Sequence, residues 1–147
     1  KGGSGYLFRT STVQDFSGVT GACLLVKTAV YDEMHGLDEQ FAVAFNDVDF
    51  CLRVRDAGYR IAWTPYAELI HYESKSRGGD EKDPVKAARF AAEQQRLYTI
   101  HGKENILDDP YYNPNLTRDR EDFSVSDDLR RLKEGRVTVR FRGGTLQ

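Results

Sequence analysis

Hydrophobic and polar positions alternate with changing period along the chain, and each change of period predicts an element. Residues 1–20, "KGGSGYLFRTSTVQDFSGVT", are rich in Gly, Ser and Thr and read as loop with one short strand. The unbroken apolar run "ACLLV" (22–26) has the pattern of a buried strand. "KTAVYDEMHG" (27–36) predicts a short helix with Thr28 as N-cap and Gly36 in the stop position. After a connector, "LDEQFAVAF", the stretch "FNDVDFCLRVRDAGYR" (45–60) puts Val48, Cys51 and Leu52 on one helical face and ends at Gly58. Asn46 suits its N-cap, and Asp49 three residues on predicts a reach back to it, as in a capping box.

"RIAWT" (60–64) and "AELIHY" (67–72) read as short strands separated by Pro65, which cannot donate to a ladder. "ESKSRGGDEKD" (73–83) is a polar loop containing two glycines. The clearest helix runs to His101, with Asp83 as N-cap, Pro84 at the first helical position and Gly102 as terminator. Phe90, Leu97 and His101 share one side of it. "DDPYYNPNL" (108–116) is too interrupted by Pro and Asn for regular structure, and 130–144 holds six Arg or Lys against one Glu around an alternating "VTVRF". The order of elements indicates an α/β layered fold with a small mixed sheet and flanking helices. The expected division is residues 1–107 as the folded portion and 108–147 as an irregular extension with a basic tail.

Composition narrows the classes. At 147 residues, 30% charged and 39% hydrophobic, the chain suits one domain burying roughly 70% of its unfolded surface. No apolar run approaches the roughly 20 residues needed to span a bilayer, so no transmembrane segment is expected. No signal peptide is read, and an opening Lys1 in place of Met suggests an excised piece of a longer chain. An acidic pI of 5.9 argues against a nucleic-acid partner. Cys23 and Cys51 lie in apolar stretches without C-x-x-C spacing and read as reduced core thiols of a cytoplasmic protein.

The acids at 47 and 49 carry the first candidate chemistry. Both could simply complement the positive end of a helix dipole. Alternatively one handles a proton or a metal. In a helix, residues two apart point about 200° apart, so the pair cannot grip one ion, and Asp49 is better spent on capping. Asp47, at the helix start, can project over the preceding loop, where an ionised carboxylate could deprotonate a hydroxyl; a positioned base contributes roughly 10² to 10⁴ in rate. His71 has a packing reading on an apolar strand face. Its place at a strand end before a Gly-containing loop adds a ligand-binding one, with a neutral imidazole available to a divalent ion. His35 and His101 carry only the reading of cationic groups at helix C-termini. The loop "SKSRGG" (74–79) could close over a phosphate, with Arg77 as a forked donor.

Taken together, "VTGACLLVKTAVYDEMHGLDEQFAVAFNDVDFCLRVRDAGYRIAWTPYAELIHYESKSRG" (19–78) resembles the C-terminal, acceptor-side half of the family-two glycosyltransferases of GT-A fold. The matching features are Gly21-Ala22, Leu37 to Phe41, Asn46 to Asp49, Cys51 to Arg53, Gly58 to Arg60, Pro65 to His71 and Ser76 to Gly78; "DPYYNPNL" (109–116) resembles a segment following that domain. The resemblance implies an inverting transfer of a hexosyl-type sugar from a nucleoside-diphosphate donor to a glycan or lipid-linked hydroxyl acceptor, in bacterial polysaccharide or cell-wall glycan synthesis. It implies Asp47 as general base and His71, twenty-four residues on, as ligand of the Mg²⁺ or Mn²⁺ holding the donor diphosphate. Arg77 with Ser76 matches the mobile donor-side segment, and Gly21 and Ala22 match an acceptor-side turn. Asn46 stands where the family usually has Glu, and the Asp matched to the base is kept at 47.

The family's N-terminal half, with its nucleotide-binding strands and Asp-x-Asp loop, has no counterpart here, so the fragment alone is expected to be inactive. Uncovered apolar strands would also give it a route to self-association. The expected compartment is the cytoplasm, with the inner face of the membrane as the alternative. A competing reading is a non-catalytic, glycosyltransferase-like module that binds glycan or a partner. A metal-dependent hydrolase is disfavoured, because no second His or carboxylate falls at a recognisable ligand spacing.

Overall fold

Four α-helices and one two-stranded sheet organise the computed structural model, which describes residues 5–70, 83–120 and 122–126. The chain divides into two compact units, Lys1–Tyr111 and Tyr112–Gln147. In the first, β1 (Gln14–Asp15) pairs antiparallel with β2 (Ala62–Trp63), Gln14 opposite Trp63. The helices are α1 (Thr28–Glu33), α2 (Asn46–Asp56), α3 (Pro84–His101) and α4 (Lys103–Leu107). This is a mixed helix and small-sheet arrangement, consistent with the α/β class.

α3 forms where its signals predict. The Asp83 carboxylate accepts from the Val85 amide at 2.9 Å, Pro84 occupies the first turn, and Gly102 follows the last residue at φ 77°. α2 ends in a Schellman turn: the Tyr59 amide donates to the Val54 carbonyl at 3.1 Å and Gly58 to Arg55 at 2.9 Å, with Gly58 at φ 88°. α1 stops in the same way. There the left-handed position is His35 at φ 57°, and the Gly36 amide closes on Tyr31. The helix is shorter than the pattern suggests and begins at Thr28, with Lys27 as its cap and no side-chain cap bond.

Where α2 and α3 pack, the core is Phe41, Leu52 and Leu97, with Phe45, Val48 and Ile106 against it. The shared face of α3 holds as expected for Leu97 and His101, but Phe90 stays 41% exposed beside Phe45, at 4.9 Å between ring centres.

Three expectations need correction. "ACLLV" is no buried strand: Gly21–Cys23 is one turn of 3₁₀ helix, Leu24 is extended, and Leu25 is 98% exposed. Its apolar run is uncovered, because no described segment runs alongside to take up its hydrogen bonds. Cys23 is therefore an exposed thiol, whereas Cys51 is buried as expected. "RIAWT" contributes only Ala62–Trp63 as strand, and residues 67–70 of the following stretch form none, with Leu69 and Ile70 both exposed. His71 and Tyr72 lie outside the described residues, as do the loop at 73–82 and the basic tail.

In the second unit, an isolated antiparallel bridge joins Leu116 to Val125, and Tyr112 packs near Phe123 while donating from its hydroxyl to the Thr117 carbonyl at 2.5 Å. Across all described residues no helix is long and apolar enough to cross a membrane.

Candidate active site at the start of the second helix

The face of α2 carrying residues 47, 51 and 55 repeats every four residues, close to one helical turn. Each of the three meets the segment 17–21 running antiparallel beside it. Asp47 Oδ2 accepts from the Gly21 amide at 2.8 Å. The Cys51 thiol reaches the Val19 carbonyl at 3.8 Å, and Gly18 lies against Cys51, where an added Cβ would sit 3.5 Å from the Cys51 Cβ. Arg55 donates to the Ser17 hydroxyl at 3.3 Å, which in turn donates to Asp109 at 2.7 Å. The loop is thus held by a sequence of single side-chain contacts in place of a β-ladder.

This arrangement brings together four of the seven sequence-predicted site residues. Gly21 and Ala22 form the turn, with the Ala22 amide donating to the Thr20 hydroxyl at 3.3 Å. Asp47 faces it, and Asn46 precedes Asp47 at the start of the helix. Asn46 Oδ1 accepts from the Asp47 amide at 2.7 Å, and Asp47 Oδ1 accepts from the Val48 amide at 2.9 Å. Free amides of the first turn are thereby satisfied by the two side chains that open the helix. Asp47 is half-buried and the Gly21-Ala22 turn is exposed, so the carboxylate sits at a surface. The remaining three, His71, Ser76 and Arg77, lie outside the described residues.

Asp49 corrects the capping expectation. It does not reach back to Asn46. Its side chain, 2% exposed, accepts from Arg53 Nε at 2.9 Å and Nη2 at 2.7 Å, both on Oδ2, while Oδ1 meets His101 Nε2 at 2.8 Å. Arg53 continues to the carbonyl oxygens of Met34 and, at 2.9 Å, Gly36. One buried carboxylate so ties α2 to the end of α3 and to the turn after α1. His101, 6% exposed at its side chain, is a core partner of an acid, beyond the helix-end cation its position suggests. The signal was present as an i, i+4 Asp-Arg pair with His at the end of the best helix, but nothing in one sequence says that α3 lands there. The two acids point to different partners, as the helix geometry requires. Among the described residues no group of three or more His, Cys, Asp or Glu side chains is placed to hold a metal ion.

A second feature escaped the sequence reading. The N-cap of α2 is not Asn46, which is the first helical residue, but Phe45, in the left-handed region at φ 65° and ψ 1°. For a residue with a Cβ such a conformation costs on the order of 1–3 kcal/mol and persists only when its surroundings determine it. Those surroundings are the Phe90 ring and a hydrogen bond from the adjacent Ala44 amide to Glu93 Oε2 at 2.7 Å. Glu93 is 5% exposed, with Arg89 Nε 3.9 Å from its other oxygen. Cys51 has its thiol pushed up, chiefly by burial and to a smaller degree by the nearby Asp47 charge, so it is a poor nucleophile.

Comparison with known proteins gives partial relatives. The chain is 47% identical over 124 residues to the uncharacterized protein y4gI of Sinorhizobium fredii, covering 84% of this chain and 13% of that one. It is 33% identical over 108 residues to the O-antigen biosynthesis protein RfbC of Myxococcus xanthus, covering 74% and 8% respectively. Over 80 residues it is 32% identical to an N-acetylglucosaminyl-diphospho-decaprenol L-rhamnosyltransferase of Mycobacterium tuberculosis, covering 54% and 24%. The chain therefore spans a quarter or less of the length of these curated relatives. No protein-family model and no solved structure matches it.

Proposed function

We propose that the chain is part of an inverting glycosyltransferase of GT-A architecture, in which it forms the acceptor-side portion and Asp47 is the general base. The observation that carries this reading is the setting of Asp47. Its two oxygens are each fixed by one backbone amide, from Gly21 and Val48, on a half-buried helix start beside an exposed turn. A carboxylate offers about four lone-pair sites, so the two bonds orient the group and leave capacity for a hydroxyl proton. The names of two relatives, in O-antigen biosynthesis and rhamnosyl transfer, support a transferase acting on bacterial glycan.

In the step so assigned, the acceptor O–H proton passes to Asp47. The freed oxygen forms a bond to the anomeric carbon of the donor from the face opposite the leaving group. The bond from that carbon to the nucleoside diphosphate breaks, and configuration inverts. Placing the base within hydrogen-bond reach of the hydroxyl is worth roughly 10² to 10⁴ in rate. The turn at Gly21 and Ala22, with Asn46, borders the acceptor in this reading. Gly21 lies directly against the base, since an added Cβ there would be in van der Waals contact with the Asp47 side chain, 3.4 Å from its Cβ and 3.6 Å from Oδ2. His71 as a ligand of Mg²⁺ or Mn²⁺, and Ser76 with Arg77 over the donor diphosphate, complete the proposal on resemblance alone. Among the described residues no side chains assemble a site for the cation.

The test is Asp47→Asn in the full-length protein, assayed for sugar transfer and for donor binding. Loss of transfer by at least about 100-fold with unchanged donor affinity is expected. Turnover at the wild-type rate would remove Asp47 from the mechanism and leave the glycan-binding module as the reading to pursue. For the chain by itself, calorimetric titration with a nucleoside diphosphate and Mn²⁺ is expected to show no binding in the micromolar range.

A further inference from the structure

Two acidic groups on the structure's buried faces, Glu93 and Asp49, do no chemistry in the proposed reaction, yet both hold the start of α2. They do so through one element. From α3, Glu93 accepts the Ala44 amide at 2.7 Å, one residue before the left-handed Phe45. Two turns further along, His101 meets Asp49 at 2.8 Å in the first turn of α2. Glu93 and His101 are eight residues apart, two near-turns of α3, and so lie on one stripe with Leu97 between them in the core. The three grip points bracket Asp47 in sequence: residue 44 before it, residue 49 and core residue 52 after it.

We propose that Glu93 and His101 are positioning residues that set the rotation and the entry angle of α2, and through them the direction of the Asp47 carboxylate. The inference rests on the reading of Asp47 as the base. Its geometry is specific. With Asp49 turned inward onto His101 and Arg53, residue 47 lies about 200° away around the helix, which directs it to the Gly21 side. With Ala44 pinned, the backbone enters the helix through Phe45 in its left-handed form, and the Asn46 and Asp47 side chains fall onto the first-turn amides. Releasing either grip frees α2 to rotate or fray at the end that carries the carboxylate. A misplacement of about 1 Å at such a group costs on the order of 100-fold in rate.

The experiment uses the full-length protein and two readouts. Steady-state transfer is measured for Glu93→Ala, Glu93→Gln, His101→Ala, His101→Gln and Asp47→Asn. Hydrogen exchange by mass spectrometry follows the peptide containing Gly21, whose amide is bonded to Asp47, and the peptide containing Leu97. The expected result is a kcat reduced on the order of 100-fold in both alanine variants with donor KM unchanged. Exchange should rise markedly more at the Gly21 peptide than at the Leu97 peptide. Substantial recovery is expected in both glutamine variants, because a Gln can still accept the Ala44 amide at position 93 and still present a side-chain nitrogen to Asp49 at position 101. Wild-type kcat in the alanine variants overturns the proposal. So does exchange that rises equally in both peptides, since these residues would then serve the fold at large. If Asp47→Asn itself retains turnover, the base assignment fails. The positioning claim is then decided by exchange alone: selective loss of protection at Gly21 upholds the mechanical link, and its absence rejects it.

Discussion

Removing the Asp49 side chain is the sharpest perturbation of the packing described here. In Asp49→Ala, Arg53 and His101 lose a carboxylate that is 2% exposed, and both are left facing a cavity. Taking one partner from a buried ion pair costs about 3–5 kcal/mol. The Arg53 side chain is 27% exposed and keeps the carbonyl oxygens of Met34 and Gly36, so part of its charge regains water and the loss falls at the lower end, about 3 kcal/mol. For a unit of this size each kcal/mol shifts Tm by about 4 °C, giving a drop of about 12 °C. Asp49→Asn keeps shape and one acceptor and should cost about half as much. Urea unfolding can be read from Trp63, the single tryptophan, half-buried with its ring edge-on to Phe16 at 6.1 Å. Adding Arg53→Met to Asp49→Ala removes the stranded charge, so the double variant should be more stable than the two single losses summed, by about 1 kcal/mol or more. An unfolding free energy for Asp49→Ala within about 1 kcal/mol of wild type would refute the reasoning.

Three further outcomes are expected. The Asp38 carboxyl is held below its ordinary value of 3.8, first by the hydrogen bond from Arg96 and then by the Gln40 amide. A depressed folded value means the unfolded chain binds the proton more readily, so the contribution is present above about pH 4 and is lost as pH falls through the folded value. Asp38→Asn should flatten the acid limb of a stability-against-pH curve, and superimposable limbs would contradict this. Cys23 is exposed and Cys51 is buried with its thiol pushed up, so iodoacetamide at neutral pH should label Cys23 first, with equal rates by mass spectrometry excluding the assigned burial. Leu97→Ala, at a position 3% exposed in the core, should cost about 2–5 kcal/mol in chemical denaturation, and a cost under 1 kcal/mol would mean that α2 and α3 do not share that core.

What could be read from the chain follows the range of the forces involved. α3 and the end of α2 were legible because caps, Pro84 and terminal glycines act within a turn of themselves. Asp47 and the turn at Gly21 were each identifiable as candidates, though their meeting across twenty-six residues is a tertiary fact. Asp49 was misread because its local option, bonding to Asn46, is weaker than a buried pairing with Arg53 and His101, fifty-two residues away in the latter case. The strand at 22–26 failed for a similar reason. Apolar composition says that a segment wants cover, and among the described residues nothing supplies it, so Leu25 faces solvent. Phe45 gave no signal at all, since left-handed backbone is expected of Gly or Asn.

That last position carries a consequence for how the chain tolerates change. Whatever occupies residue 45 answers two opposed demands. The backbone would relax with Gly or Asn there, while the ring, 4.9 Å from Phe90 and against the core of Leu52 and Leu97, calls for a large aromatic. Variation at this site is therefore a trade between local comfort and distant cohesion, and the aromatic has prevailed. A homologue with a smaller residue at 45 should show a compensating enlargement opposite it, at 90, before any other position changes.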